Sequence, residues 1–170
     1  MKLIVLDRDG TINHDSDQYI KSPLEWKPIA GSLEAIARLT HAGWRVVVAT
    51  NQSGIARGFL TEQDYEEVAN RTEQLLAEGG ARVDVTYMCP HYPPVTGPCE
   101  CRKPGTLHYR MAAERFGLDL SASWWIGDRL TDVEPADRLG GRGILLGNAP
   151  APPPHGNAPD LATAAATILQ

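Results

Sequence analysis

Most residues of this chain that could do chemistry sit in three short polar sequences, each directly after an apolar run. Lys2 to Leu6 leads into Asp7-Arg8-Asp9-Gly10-Thr11. A valine-rich run from Arg45 ends in Thr50-Asn51-Gln52-Ser53-Gly54, and Ser123 to Ile126 is followed by Gly127-Asp128-Arg129-Leu130-Thr131-Asp132. If these runs are neighbouring strands, Asp7, Asp9 and Asp128 bring several carboxyl oxygens to one spot. Packed anions repel, so the cluster calls for a hard divalent cation, and Mg²⁺ suits oxygen ligands and phosphates. A carboxylate held by Mg²⁺ can attack phosphorus and form an acyl phosphate. A second carboxyl two residues on points elsewhere and can protonate the leaving oxygen. Thr50 offers a hydroxyl and an N–H to a phosphoryl oxygen, and Lys103, with Arg102 beside it, can balance transition-state charge. One aspartate after a strand is often only a turn or cap; three such tips in this order argue for a shared site.

A second cluster is built from softer ligands. The three cysteines, Cys89, Cys99 and Cys101, fall within thirteen residues, and His91 lies among them, with seven residues between it and Cys99. An odd, tight set does not suit a disulfide framework. Three thiolates and one imidazole make a closed tetrahedral Zn²⁺ set, which leaves no open position for water and is therefore structural. The alternative is a group of reduced cysteines beside a surface histidine. The loop from Cys89 to Pro104 holds five prolines and ends at Arg102-Lys103, so a metal cross-link there would fix the approach of the lysine.

The elements that must position these groups follow from the pattern of apolar residues. Strands are expected at Lys2–Leu6, Arg45–Thr50, Val83–Met88, Ser123–Ile126 and Gly143–Leu146, short apolar runs of which Val83–Met88 alternates weakly. Helices are expected over Gly31–Ala42 with Ser32 as cap, over Thr61–Glu78 with a capping box, and over Thr106–Phe116. Leu130–Leu139 reads as a short helix disturbed by Pro135, and a last helix runs from Asp160 to Leu169. Residues 149–159 read as a Pro-rich connector. Strands alternating with helices predict an α/β fold with a parallel sheet covered on both faces. A chain of 170 residues suits one domain. A net charge of −5 argues against a nucleic-acid partner. The N-terminal apolar run ends at Asp7, too short for a signal peptide or a membrane span, so a cytoplasmic protein with no membrane partner is expected. The absence of coiled-coil heptads suits a monomer. Trp26, Trp44, Trp124 and Trp125 read as core, and His14, His41, His108 and His155 as surface or capping residues.

Together, Asp7-Arg8-Asp9-Gly10-Thr11, Thr50, Lys103 and Gly127-Asp128 with Asp132 resemble the four motifs of the haloacid dehalogenase-type phosphatases. A receiver domain also gathers Asp, Thr and Lys around Mg²⁺, but a Gly-Asp-x-x-x-Asp motif is not expected there. The resemblance spans residues 2 to about 147 and implies a Rossmann-like core and an aspartyl-phosphate intermediate. It makes Asp7 the nucleophile and Asp9 the general acid/base. It gives Mg²⁺ to Asp7, the Asp9 backbone carbonyl and Asp128, and the phosphoryl group to Thr50 and Lys103. Asp132 orients its neighbours. Forty residues between Asp9 and Thr50, and fifty-two between Thr50 and Lys103, leave no room for a cap domain. Two capless subfamilies share this kind of zinc loop, one acting on histidinol phosphate and one on a heptose bisphosphate. Ser53-Gly54-Ile55-Ala56-Arg57-Gly58 resembles the second, as does the stretch Asn13 to Tyr19. That likeness implies a sugar bisphosphate that loses its 7-phosphate. It places Asp15, Ser16, Asp17, Gln18, Asn51, Gln52 and Ser53 at the substrate, with Arg57, Arg102 and Arg129 as candidates for the distal phosphate.

Overall fold

Alternation along the first strand sets the architecture. In β1 (Lys2–Leu6), Ile4 and Leu6 point to one face and Leu3 and Val5 to the other, and all four are buried. A strand apolar on both sides needs cover on both sides. A computed structural model describing residues 2–170 supplies it. Ile4 and Leu6 join Val46, Val48, Ile126 and Ile144 against α1 (Ser32–His41), α2 (Glu62–Glu78) and α7 (Leu161–Ile168). Leu3, Val5 and Val47 pack with Trp125 against Tyr109 and Ala112 of α4 (Leu107–Phe116) and Ala136 of α6 (Pro135–Leu139).

The sheet is six-stranded and parallel throughout. β2 is Trp44–Asn51, β3 Val85–Cys89, β4 Trp124–Gly127, β5 Arg142–Leu146 and β6 Gly156–Ala158. Their order is β3-β2-β1-β4-β5-β6. The chain winds outward from β1 to β3 and then returns to β4 on the other side of β1. The switch point is thus the gap between β1 and β4, where open α/β sheets bind ligands beyond the strand ends. Register brings the three polar tips level: Leu6 pairs with Val48 on one side and Ile126 on the other. The Asp7 N–H then bonds the Ile126 carbonyl at 2.9 Å.

The five expected strands and the main helices are present, with the Thr61–Asp64 capping box and the Asp160 cap. Pro135 splits the expected 130–139 helix into α5 (Leu130–Val133) and α6, where it takes the first helical position. No domain is inserted among the described residues: the segments between Asp9 and Thr50 and between Thr50 and Lys103 are taken up by core helices and strands and the loops that join them. Four local expectations need correction. Ser32 does not cap α1: Gly31 is the cap residue, and the Ser32 hydroxyl donates to the Ile12 carbonyl at 2.6 Å instead. The 149–159 segment is more than a connector. Asn157 accepts from the Ala151 N–H and donates to the Ala149 carbonyl, which folds the proline run back so that Gly156–Ala158 adds a sixth strand. The loop after Cys89 contains one helical turn, α3 (Pro93–Thr96), whose two prolines stand where no N–H is needed. His108 and His155 are buried rather than exposed. His108 stacks on Tyr87, and His155 Nε2 lies 3.2 Å from an Asp137 oxygen. No helix among the described residues is long and apolar enough to cross a membrane.

Candidate active site

A cavity of about 600 Å³ opens at the switch point. Its floor is a buried ion triplet. Lys103 Nζ lies 2.6 Å from Asp7 Oδ1 and 2.6 Å from Asp132 Oδ1, and Lys103 is only 4 % exposed. Burial alone would favour the neutral amine, but Asp7 and Asp132 outweigh it and push the lysine pKa up. Burial is also the main influence on Asp7, and it raises that carboxyl pKa against the pull of Lys103. The triplet carries one cation for two carboxylates, and Asp128 adds a third.

Asp128 follows β4 and is tucked against the turn after β1. Gly10 has φ +85°, and a Cβ there would collide with the Asp128 carboxyl, so the turn Asp9-Gly10-Thr11 accepts only glycine at that point. Burial and then Asp132 push the Asp128 pKa up to about 6. Its Oδ1 is buried and has no hydrogen-bond partner. Asp7, Asp128 and Asp132 can each bring one oxygen within 4.8 Å of the others. Asp132 is already spent: Oδ1 faces Lys103, and Oδ2 accepts the Arg129 N–H at 3.0 Å. An excess of buried carboxylate and one orphaned oxygen is the donor chemistry of a hard divalent cation.

Asp9 is held apart from that cluster. Burial would raise its pKa, but Arg8, bonded to both its oxygens at 2.9 and 3.1 Å, brings it below the usual carboxylate value. Asn13 Nδ2 and Gln52 Nε2 add bonds of 2.9 and 2.8 Å. The Asp9 carboxyl is therefore an ionised group fixed by three side chains at the cavity wall.

The turn after β2 positions the remaining parts. Gln52 is buried, and its amide also donates to the Thr50 hydroxyl at 2.9 Å. Asn51 grips the backbone of Lys103: its Oδ1 accepts the Lys103 N–H at 3.0 Å, and its Nδ2 reaches the Lys103 carbonyl at 3.4 Å. One asparagine thus fastens the loop that carries the lysine to the end of a core strand.

Among the residues expected at the substrate, Asp15, Asp17, Asn51, Gln52, Ser53 and the three arginines line the cavity, with Asp7, Asp9 and Lys103. Ser16 and Gln18 do not line it. The Ser16 hydroxyl accepts the Gln18 N–H, so both build the turn that carries Asp15 and Asp17. Thr50 and Asp128 are also outside the lining. Arg129 is already paired with Asp15 at 2.9 Å. Sequence reasoning missed the supports: Arg8 and Asn13 on Asp9, Tyr109, whose hydroxyl donates to the Asp132 carbonyl at 3.3 Å, and Tyr92 in the cavity wall. Arg8 lies inside the first motif and Asn13 two residues beyond it, so proximity in sequence marks both. Nothing in the sequence marks Tyr92 or Tyr109.

The four cysteine-loop residues converge as a second cluster. Cys89 and Cys99 sulfurs are 3.8 Å apart, Cys89 and Cys101 sulfurs 3.0 Å, and His91 Nδ1 is 3.1 Å from the Cys101 sulfur. All three cysteines are free thiols. A tetrahedral zinc with Zn–S of about 2.3 Å holds its sulfurs about 3.8 Å apart, so the first edge matches and the second needs a small opening. The cluster is tied to the catalytic turn, because the Gln52 N–H bonds the Cys89 carbonyl at 2.8 Å.

Comparison with known proteins agrees with this geometry. The HAD-hydrolase-like family model matches residues 100–164. A D-glycero-beta-D-manno-heptose-1,7-bisphosphate 7-phosphatase of Pseudomonas aeruginosa is 44 % identical over 99 % of this chain and 98 % of its own length. The enzyme of that name from Bordetella bronchiseptica is 48 % identical over 82 % of this chain and 77 % of its own. A crystal structure of the D,D-heptose 1,7-bisphosphate phosphatase of B. bronchiseptica, complexed with magnesium and phosphate, superposes with a TM-score of 0.93. It is 42 % identical, covering 100 % of this chain and 99 % of that one. Identity at this level over nearly the whole chain shows the family, and the chain accordingly belongs to the haloacid dehalogenase-type phosphatases, a family of phosphoric monoester hydrolases.

Proposed function

We propose that this chain removes the 7-phosphate of D-glycero-D-manno-heptose 1,7-bisphosphate through an aspartyl-phosphate on Asp7, a step toward ADP-heptose for the lipopolysaccharide inner core. One observation carries the reading: the cavity has a buried carboxylate at its floor and three arginines, Arg57, Arg102 and Arg129, in its wall. That layout suits a substrate with one phosphate to be attacked and another to be held, since Arg makes bidentate contacts to phosphate. The names of the relatives support the same substrate.

The chemistry falls to Asp7 and Asp9. Asp7 attacks phosphorus in line with the ester P–O bond. That bond breaks, its electron pair leaves on the sugar oxygen, and Asp9 supplies the proton. Asp9 is ionised in the resting arrangement. A phosphate dianion arriving beside it raises its proton affinity, because like charges disfavour the ionised form, and Asp9 takes up from solvent the proton it then gives to the leaving oxygen. In the second half Asp9 accepts a proton from water as that water attacks phosphorus, the bond to Asp7 breaks, and inorganic phosphate leaves. Lys103 and the Thr50 N–H hold the phosphoryl oxygens. Asp7, the Asp9 carbonyl and Asp128 are the residues that would hold Mg²⁺, whose contribution there is to neutralise the crowded carboxylate and phosphoryl charge. Asp15, Asp17 and Ser53 face the sugar hydroxyls.

Cys89, His91, Cys99 and Cys101 are, in this reading, a structural Zn²⁺ site that braces the segment leading to Arg102 and Lys103. Three unpaired thiols suit a reducing compartment, and we place the reaction in the cytoplasm. Cys99→Ser is expected to lose bound zinc, to lower Tm by about 5–10 °C and to reduce kcat/KM in parallel. Metal analysis, thermal unfolding and kinetics on one sample check this; full stability and activity without zinc would contradict it. The substrate is tested by kcat/KM with Mg²⁺ on heptose 1,7-bisphosphate against histidinol phosphate. The heptose is expected to win by about tenfold or more, the worth of a charge-assisted phosphate contact. Equal or reversed preference rejects the assignment.

A further inference from the structure

Arg57 is held in an unusual way for an exposed cation on a cavity wall. Its guanidinium carbon lies 4.8 Å from the Tyr92 ring centre and 5.1 Å from the Phe59 ring centre. One terminal nitrogen donates to the Tyr19 hydroxyl at 2.8 Å. Tyr19 in turn stacks on Phe59, with centroids 5.3 Å apart. Tyr19 itself adopts φ +62°, and Gly54 leaves the space its ring occupies, since a Cβ there would collide with it. Three aromatic side chains from three separate segments therefore converge on one arginine: the loop after β1, the turn after β2 and the cysteine loop.

Charge balance narrows the choice to Arg57 and Arg102, and Arg102 reaches the His91 carbonyl at 3.5 Å rather than a cage of rings. Among the cavity cations, Lys103 is neutralised by Asp7 and Asp132, and Arg129 by Asp15. Arg57 has no carboxylate within ion-pair distance among the described residues, and its contacts are ring faces and one phenol. A free arginine would lose side-chain entropy on gripping a phosphate. The cage removes much of that loss beforehand, and it leaves the other guanidinium donors unspent for an anion.

We propose that Tyr19, Phe59 and Tyr92 act as a specificity device that presents Arg57 to the second phosphate of the substrate, and that the cysteine loop takes part in substrate selection through Tyr92. This rests on the reading of the substrate as a sugar bisphosphate. Tyr92 is a positioning residue: it acts on the distal phosphate through Arg57 and has no part in the attack on the other phosphate. The cysteine cluster then has two products, the placement of Lys103 at one end of its loop and of Tyr92 near the other.

The test uses the full chain with Mg²⁺ and two substrates that differ by one group, heptose 1,7-bisphosphate and heptose 7-phosphate. The quantity read is the ratio of their kcat/KM values. Tyr92→Ala is expected to lower that ratio about three- to fivefold, the worth of one cation–π contact at a partly exposed site. The loss should appear in KM for the bisphosphate. Arg57→Ala should lower the ratio at least about tenfold, since it removes the charge-assisted contact itself. Tyr92→Phe keeps the ring and should retain the ratio. Tyr19→Phe removes only the hydroxyl and should lower the ratio even if Tyr92→Ala unfolds the loop. Equal losses on both substrates, or a ratio unchanged in Tyr19→Phe and Tyr92→Ala, would overturn the cage. A wild-type enzyme that does not prefer the bisphosphate would reject the substrate reading and the cage with it, whereas a preference that survives all variants rejects the cage alone.

Discussion

Asp7→Asn is expected to lower kcat by on the order of 10⁴-fold or more, the scale seen when a covalent nucleophile is removed, and to leave the fold intact. The amide is nearly isosteric but too weak a nucleophile to displace an alcohol from phosphorus. Burial opposes the ionised form of Asp7, so losing its charge relieves a desolvation cost. Lys103 keeps its second partner, Asp132, at 2.6 Å. In the absence of divalent metal the Tm of the variant should therefore equal or exceed that of the wild type. Kinetics and thermal unfolding on the same sample check both halves. Substantial residual turnover in a pure sample would exclude Asp7 as the nucleophile.

Lys103→Met should do the opposite to stability and nearly the same to activity. Methionine fills the volume, but Asp7 and Asp132 then face each other with no cation between them. Breaking a buried ion pair by removing one partner costs about 3–5 kcal/mol, which for a chain of this size is a Tm loss of about 6–20 °C. Activity should fall at least about 100-fold, because the cation aimed at the phosphoryl oxygens is gone. The pH dependence has a definite sign. A carboxyl whose folded pKa is raised contributes stability below its ordinary value near 4 and loses it as pH rises toward the folded value. The Asp7 pKa is raised even with Lys103 present, so the variant should be most stable in acid and weaken toward neutral pH. Adding Asp7→Asn to Lys103→Met should recover much of the stability and none of the activity. A double variant no more stable than Lys103→Met would show that the repulsion between the carboxylates is not the cause.

The carboxylates of the cavity floor were legible in the sequence because Asp7 and Asp128 each stand one step beyond a strand, and strand ends in a parallel sheet share one rim. Asp7, Asp9 and Asp128 needed only the strand runs and the order of their tips, whereas Lys103 stands at the end of the cysteine loop, well beyond β3. The cysteine cluster was legible for a different reason, since four soft ligands in one short loop have few ways to avoid one another. What could not be read was support from distant segments. Asn51 looked like a substrate ligand, yet its side chain is engaged with the backbone of Lys103, fifty-two positions on. Gln52 likewise serves Asp9 and Thr50 from a buried position. Polar side chains that satisfy backbone groups in three dimensions leave no periodicity behind. The sixth strand was hidden for a related reason: a run of prolines suggests a free connector, and only Asn157, by bonding two backbone groups of the same segment, turns it back onto the sheet edge.

The most direct test of the central claim, that phosphate passes through Asp7, is the stereochemical course at phosphorus. A substrate whose transferred group is a phosphorothioate made chiral with two oxygen isotopes in its non-bridging positions is hydrolysed in water carrying the third isotope, and the configuration of the chiral inorganic thiophosphate is read. Two successive in-line displacements, first by Asp7 and then by water, invert twice and give net retention. Net inversion would mean that water attacks the substrate directly, and the assignment of Asp7 as the nucleophile would fall.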